Sequence, residues 1–345
     1  MSLKTKGFLT SFKNLKRLGS GTYGDVYSGE ESSGKKVAIK RMRDATVLAN
    51  GEVEEKEEAH LKKACLTEIK LLRHLAGHDN ILSIQRSEDE FIVLELMQHD
   101  FRGLLNCPHH IFFSQGQVKG YLHQALKGLS WIHSRGVIHR DLKPENILVS
   151  VDNVVKIADY GLACYCDPEK KTKMNPVVCA TWYRAPELFL GCSYYGYEID
   201  VWSMGCIIGE MIADTPLFNR YKDDNQEVIQ AVWRLLGTPC ENGWPEATNT
   251  KHWEQHKPKV EESSSKERNL LDAFYSFNKT SRKLWFNKAL LELLDAMWCY
   301  KPENRISTLQ ALNHSYWEAE YPKPYNPDLL PKYKESYLGH QIKKA

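Results

Sequence analysis

Two short stretches of this chain concentrate side chains that can move a phosphoryl group. His139-Arg140-Asp141-Leu142-Lys143-Pro144-Glu145-Asn146 puts a carboxylate, a cation and an amide oxygen on one tight loop. The Asp141 carboxylate can orient an attacking hydroxyl and accept its proton, while the Lys143 ammonium steadies charge on the group in transit. Asn146 offers a hard oxygen of the kind Mg2+ takes. Asp159-Tyr160-Gly161 follows the apolar run Val154 to Ile157 and offers a second such ligand.

Other residues suit the handling of phosphates. Gly19-Ser20-Gly21-Thr22-Tyr23-Gly24-Asp25-Val26 has the spacing G-x-G-x-x-G-x-V. Glycines there let backbone amides approach a phosphate with no Cβ in the way. The same pattern opens a helix in dinucleotide-binding folds, whereas here it runs into the strand-like Val26-Tyr27-Ser28-Gly29. Val37-Ala38-Ile39-Lys40 follows, with an ammonium able to reach α and β phosphates. A lone lysine is ordinarily a solvated surface group, so Lys40 needs a partner to carry meaning.

The elements that must hold these residues supply that partner. Strand patterns fill the first ninety or so residues: Phe12 to Leu18, Val26 to Gly29, then Val37 to Met42 after a Ser33-Gly34 turn, and the apolar run Phe91 to Met97. Glu52 to Leu75 reads as a helix, acidic at its start and basic later, as the helix dipole favours. Leu61, Ala64, Cys65, Leu72 and Leu75 fall at helical spacing around Glu68, which places one carboxylate on the buried face. Such a carboxylate is expensive unless a cation meets it, so Lys40 and Glu68 explain each other. After Gln98 the pattern turns helical, clearest over Gln117 to His133, Asp200 to Ala213, Asn225 to Leu236 and Trp285 to Trp298. Pro239 to Ser281 reads as polar and irregular, with Ser263 to Ser265 expected as its mobile part. The proline-bearing tail after Trp317 reads as extended over the surface.

Composition sets outer bounds. The chain has 345 residues, 42% hydrophobic and 26% charged, enough for a large core and two subdomains. Lys plus Arg total 46 against 44 Asp plus Glu, so the net charge of +2 argues for neither nucleic acid nor a membrane surface as main ligand. Nine cysteines without zinc spacing read as reduced thiols packed as small apolar groups, pointing to nucleus or cytoplasm. Met1 to Gly21 lacks the apolar core of a secretory signal, and Cys206 to Ala213 is too short to span a bilayer.

Taken in order, the glycine loop, Lys40, Glu68, the Asp141 loop, Asp159-Tyr160-Gly161 and Ala185-Pro186-Glu187 resemble the motifs of eukaryotic protein kinases from about Phe12 to Trp317. The resemblance implies an α+β bilobal fold: a small antiparallel-sheet lobe over 1–96 with one long helix, a large helical lobe over 97–320, and a tail over 321–345. It implies transfer of the γ-phosphate of Mg·ATP, with Asp141 as base, Asn146 and Asp159 on magnesium, and Lys40–Glu68 as the ion pair of the active state. Lys143 marks the Ser/Thr version of the loop. Glu187 with Arg305 resembles the ion pair of the large lobe, and Asp200 the aspartate that braces the catalytic loop. The implied adenine site runs along Glu95, Leu96 and Met97, with Leu18, Val26, Ala38 and Leu148 as apolar walls. Leu94 stands behind it, with pocket lining and plain core packing as equal readings.

Trp182-Tyr183-Arg184-Ala185-Pro186-Glu187 resembles the branch of cyclin-dependent and mitogen-activated kinases, in which this arginine accompanies a preference for proline after the target residue. Leu236-Gly237-Thr238-Pro239 and Asp200-Val201-Trp202-Ser203-Met204-Gly205-Cys206 resemble the cyclin-dependent kinases more narrowly, which implies a cyclin partner and protein substrates with Ser/Thr-Pro sites. Thr22 and Tyr23 match that family's sites of inhibitory phosphorylation, or else merely shape the loop. The tail from Asn326 to Pro331 resembles the transcriptional members.

Three departures qualify the match. The helix of Glu68 lacks the cyclin-recognition sequence of cell-cycle members, and an insertion lies over 44–58. No Thr stands where the family's activating phosphate goes: Thr172 sits too early, and beside Arg140 the other two phosphate-binding arginines are replaced by Thr67 and Cys164. Activity without a phosphate on this loop is the expectation. Ala180 replaces the family's substrate-loop Thr, with Thr181 one place later. Two alternatives stay open: a pseudokinase scaffold, and a cyclin-independent kinase of the mitogen-activated type.

Overall fold

The computed structural model describes residues 8–21, 24–42, 55–88, 91–107, 114–167, 169–170, 172–215, 217–218, 223–259, 270, 285–318, 322–327, 336 and 338. The expectations for Thr22, Tyr23, Ser263 to Ser265 and most of the 44–58 insertion lie outside them. The chain divides into two compact units that interleave in sequence. One holds residues 1–111, 145–163 and 331–345, the other 112–144 and 164–330.

The first unit is built on a five-stranded antiparallel sheet of order β1-β2-β3-β5-β4. Its strands are β1 (Lys13–Gly21), β2 (Gly24–Glu30), β3 (Lys36–Met42), β4 (Ile84–Glu88) and β5 (Phe91–Glu95). Alternation along β3 and β5 sorts the two faces. Val37, Ile39, Phe91 and Val93 pack with Leu9 and Phe12 into one apolar cluster, capped by Phe8 stacked on Phe91 at 4.5 Å. The opposite face carries Val26, Ala38, Lys40, Ile92 and Leu94, since Val26 pairs with Lys40 and Ala38 with Leu94. The β2–β3 turn closes through Gly34, whose φ of 84° suits glycine.

Helix α1 (Glu55–Leu75) buries Leu61, Ala64, Cys65, Glu68, Ile69, Leu71, Leu72 and Leu75, a stripe at i, i+3, i+4 spacing with one carboxylate in it. A second sheet joins β6 (His99–Asp100) to β8 (Ile147–Val149) and β9 (Val155–Ile157), which is why 145–163 belongs to this unit. Asp100 also starts α2 (Phe101–Leu105), its carboxylate accepting the Gly103 N–H.

The second unit is mostly helical. Helix α3 (Gln115–Ser134) starts with a capping box between Ser114 and Gln117 and buries Val118, Leu122, Ala125, Leu129 and Ile132 on one side. β7 (Val137–Ile138) pairs with β10 (Cys164–Tyr165). After the short α4 (Pro186–Phe189), helix α5 (Glu198–Ala213) is buried along its whole length from Ile199 and forms the unit's central rod. α6 (Asn225–Leu236) is capped by Asp224. The stretch expected to be irregular after Pro239 contains a 3-10 turn over Pro245–Asn249 and α7 (Trp253–His256). Both are shorter than two helical turns, too short for a periodic pattern to show. α8 (Lys288–Met297), α9 (Thr308–Leu312) and α10 (Ser315–Glu318) complete the unit.

Among the described residues no helix is long and apolar enough to cross a membrane, and no group of three His, Cys, Asp or Glu could hold a metal ion. All nine cysteines are free thiols, and burial pushes Cys65 and Cys192 up to about 11.

Candidate active site

In the sheet-containing unit, Lys40 is the focus. Its Nζ donates to both oxygens of Glu68, at 2.7 and 2.8 Å, and to Oδ1 of Asp159 at 2.9 Å. An ammonium has three N–H groups, and three carboxylate oxygens meet them. Lys40 and Glu68 are 8% and 2% exposed, so neither charge would be tolerated without the other. Burial opposes the ammonium, but the Asp159 and Glu68 carboxylates outweigh it and hold the lysine's pKa above its ordinary value.

Asp159 sits in left-handed backbone with φ of 64°, a conformation rare outside glycine that marks a held position. The next residue, Tyr160, is fully buried and donates its hydroxyl to the Ile157 carbonyl at 3.1 Å. Asn146 is 6% exposed, and its carbonyl accepts the Ala158 N–H at 3.0 Å. That bond ties Asn146 to the residue just before Asp159, so two hard oxygen side chains are offered from adjacent backbone. This donor set fits a magnesium ion.

The expected adenine-site residues occupy the same unit. Val26, Ala38 and Leu94 share the sheet face of Lys40, with Leu94 6% exposed. Leu18 and Gly19 lie on β1, half-buried, and Leu148 lies half-buried on β8. Ser20, Gly21 and Gly24 form the end of the β1–β2 ribbon, where Gly21 pairs with Gly24. A Cβ on Gly24 would lie 1.9 Å from the Arg41 carbonyl oxygen, so only glycine fits. Glu95 is anchored by Lys156 at 3.1 Å and by the Ser83 N–H at 2.6 Å, which steadies the strand end before Leu96 and the buried Met97.

Asp141 and Lys143 belong to the helical unit. Lys143 Nζ donates to Asp141 Oδ2 at 2.7 Å. The loop before them hangs on Asp200, which is wholly buried. Its Oδ2 accepts the His139 N–H at 2.7 Å and Nε2 of His133 at 2.9 Å, while Oδ1 accepts the Arg140 N–H at 2.9 Å. Burial would raise this carboxyl's pKa, but the hydrogen bond and charge of His133 pull it below the ordinary value. Arg140 takes left-handed backbone, φ 65°, as this suspension requires. Glu187 and Arg305 meet in a buried two-pronged pair, at 2.7 and 3.0 Å.

Some functional contacts gave no signal in the sequence. His133 reads as one more polar residue of a helix, yet it shares Asp200 and touches Thr308 Oγ1 at 3.3 Å. Glu210, an interruption in an apolar run, is 2% exposed and accepts the Tyr183 hydroxyl at 2.6 Å. Arg184, by contrast, stood out in the sequence, and it donates to the carbonyls of Val178 and Cys179, both at 2.8 Å, and to Asn225 Oδ1 at 2.7 Å.

Comparison with known proteins shows the family. The protein kinase domain family matches residues 12–317. A probable serine/threonine-protein kinase of Arabidopsis thaliana is 34% identical over 333 residues, covering 94% of this chain and 53% of that protein. Cyclin-dependent kinase 11.2 of Caenorhabditis elegans is 32% identical, covering 94% of this chain and 47% of that protein. Cyclin-dependent kinase 12 of the same organism is 33% identical, covering 95% and 44%. The chain thus spans about half the length of the curated relatives it matches. Among solved structures, the CAK complex from Chaetomium thermophilum bound to ATP-γ-S contains a chain 28% identical, with a TM-score of 0.76, covering 96% of this chain and 98% of that one. The antiparallel-sheet unit, the helical unit and the match over 12–317 place this chain in the protein kinase family, among relatives of the cyclin-dependent type.

Proposed function

We propose that the chain transfers the γ-phosphoryl group of Mg·ATP to serine or threonine hydroxyls of proteins, at sites followed by proline. The observation that carries this reading is Lys40 held by both oxygens of Glu68 and by Asp159. A buried cation between two carboxylates is costly to maintain, and the assignment of Lys40 to phosphate binding gives it a use. Lys40 is the group that would anchor α and β phosphates, and the β1–β2 glycines let backbone amides approach them. Asn146 and Asp159 would hold magnesium, which supplies neutralisation of phosphate charge when bound. Asp141 accepts the proton of the substrate hydroxyl, and Lys143 stabilises the transferred group.

Arg184 supports the proline preference. Its guanidinium already occupies the Val178 and Cys179 carbonyls. A substrate N–H arriving there would compete with a charged donor for those carbonyls, and left unpaired and buried it would cost about 1–3 kcal/mol, whereas proline brings no N–H. An open groove of about 450 Å³ beside Arg184, lined by Val177, Thr181, Asn225 and His256, gives a substrate backbone room. The test is turnover of paired peptides differing only as Ser-Pro or Ser-Ala. Ser-Pro is expected to be favoured by about tenfold or more, and equal rates would refute the preference.

A cyclin partner is part of the proposal. Leu66 is 58% exposed on α1, two residues from Glu68, an apolar side chain on the face of the helix that leaves the core. Leu66→Glu is expected to remove any cyclin that co-purifies with the chain, as read by mass spectrometry, while leaving the melting temperature unchanged. Undiminished recovery of a cyclin with this variant would show that it docks elsewhere.

A further inference from the structure

The loop over 174–184 is fastened through its own backbone. The Met174 N–H donates to the Ser193 carbonyl at 2.7 Å, and the Cys179 N–H to the Arg140 carbonyl at 2.9 Å. Arg184 holds the carbonyls of 178 and 179. Between these points stands Tyr195, 7% exposed, just before α5. Its hydroxyl donates to the Asn175 carbonyl at 2.6 Å and accepts from Arg140 Nη1 at 3.4 Å. Thr172, just before the loop, is exposed and donates to the Lys170 carbonyl at 3.3 Å.

The Tyr195 hydroxyl that Arg140 meets is a neutral partner. Burial raises the thiol pKa of Cys164, as it does that of Cys179, so both thiols stay protonated. Burial likewise raises the Tyr195 pKa, so the hydroxyl keeps the proton it donates. One hydroxyl can donate once and accept twice, which is enough to bridge an arginine and a carbonyl. A phosphate dianion orders a loop through several charge-assisted bonds, and here a neutral hydroxyl bridges Arg140 and the Asn175 carbonyl.

We propose that Tyr195 is a positioning residue whose hydroxyl does the work of a loop phosphate, tying Asn175 to Arg140 one residue before Asp141. The chain then needs no covalent modification to order its substrate loop. This inference rests on the reading of the chain as a protein kinase.

Tyr195→Phe tests it, since the ring that packs is kept and only the hydroxyl is lost. Wild type and variant, tagged in the cells of origin and purified with any bound subunit, are treated with phosphatase and checked by intact mass. Wild type is expected to keep its activity on a Ser-Pro peptide. Tyr195→Phe is expected to lose about tenfold in kcat/KM for peptide at unchanged affinity for ATP. Backbone amides over 175–179 should exchange hydrogen faster in the variant, while those of α5 do not. Wild-type kcat/KM and exchange in the variant would overturn the proposal, as would a wild type silenced by phosphatase. A wild type that phosphorylates nothing counts against the kinase reading alone, and the exchange comparison still decides whether Tyr195 holds the loop.

Discussion

Asp141→Asn is expected to lower phosphoryl transfer by about a hundred- to ten-thousandfold, with ATP affinity and melting temperature close to wild type. The amide keeps the size of the carboxylate and can still accept one hydrogen bond, but it cannot take a proton from a substrate hydroxyl. The loop should survive the change because Asp200, not Asp141, suspends it through the His139 and Arg140 N–H groups. Lys143 loses its partner at 2.7 Å, yet its side chain is 25% exposed and can turn to water. Initial rates with a saturating peptide, beside a thermal melt, separate lost chemistry from lost structure. A variant within tenfold of wild type would remove Asp141 from the role of base.

The second large effect concerns stability. Arg305→Met is expected to cost about 3–5 kcal/mol, lowering the melting temperature by roughly 10 °C. Arg305 and Glu187 are 0% and 2% exposed at their side chains. Arg305 also donates to the carbonyls of Cys299 at 3.0 Å and Glu198 at 2.8 Å, and it lies over the Trp202 ring at 5.1 Å. Its loss strands one buried carboxylate and deprives two carbonyls of a donor. Replacing both partners, as Arg305→Met with Glu187→Leu, should cost less than Arg305→Met alone, because no charge is then left unpaired. Calorimetry of the single and double variants checks both statements. A single variant that melts within about 2 °C of wild type would show that the pair does not hold the helical unit together.

What could be read from the sequence follows from where each signal is stored. Glu68 was legible because a carboxylate in the apolar stripe of a long helix breaks a periodic pattern, and Lys40 because a cation was then required. The ends of α6 agree with the expected Asn225 to Leu236, since Asp224 caps one end and Gly237 follows the other. Contacts made by single polar groups across long stretches of chain left no such trace. His133 with Asp200, Tyr183 with Glu210 and Tyr195 with Asn175 depend on which segments pack together in the fold, and periodicity within one segment does not record that. The helices over Pro245–Asn249 and Trp253–His256 were hidden for another reason: each completes fewer than two turns and owes its form to surrounding packing.

The most direct measurement is transfer of label from γ-labelled Mg·ATP to a Ser-Pro peptide by the phosphatase-treated wild-type protein with its co-purifying subunits. Label on serine of the peptide, absent with Asp141→Asn, is the result expected of an active kinase. ATP binding without any transfer would contradict the account and leave the chain as a scaffold with the form of a kinase.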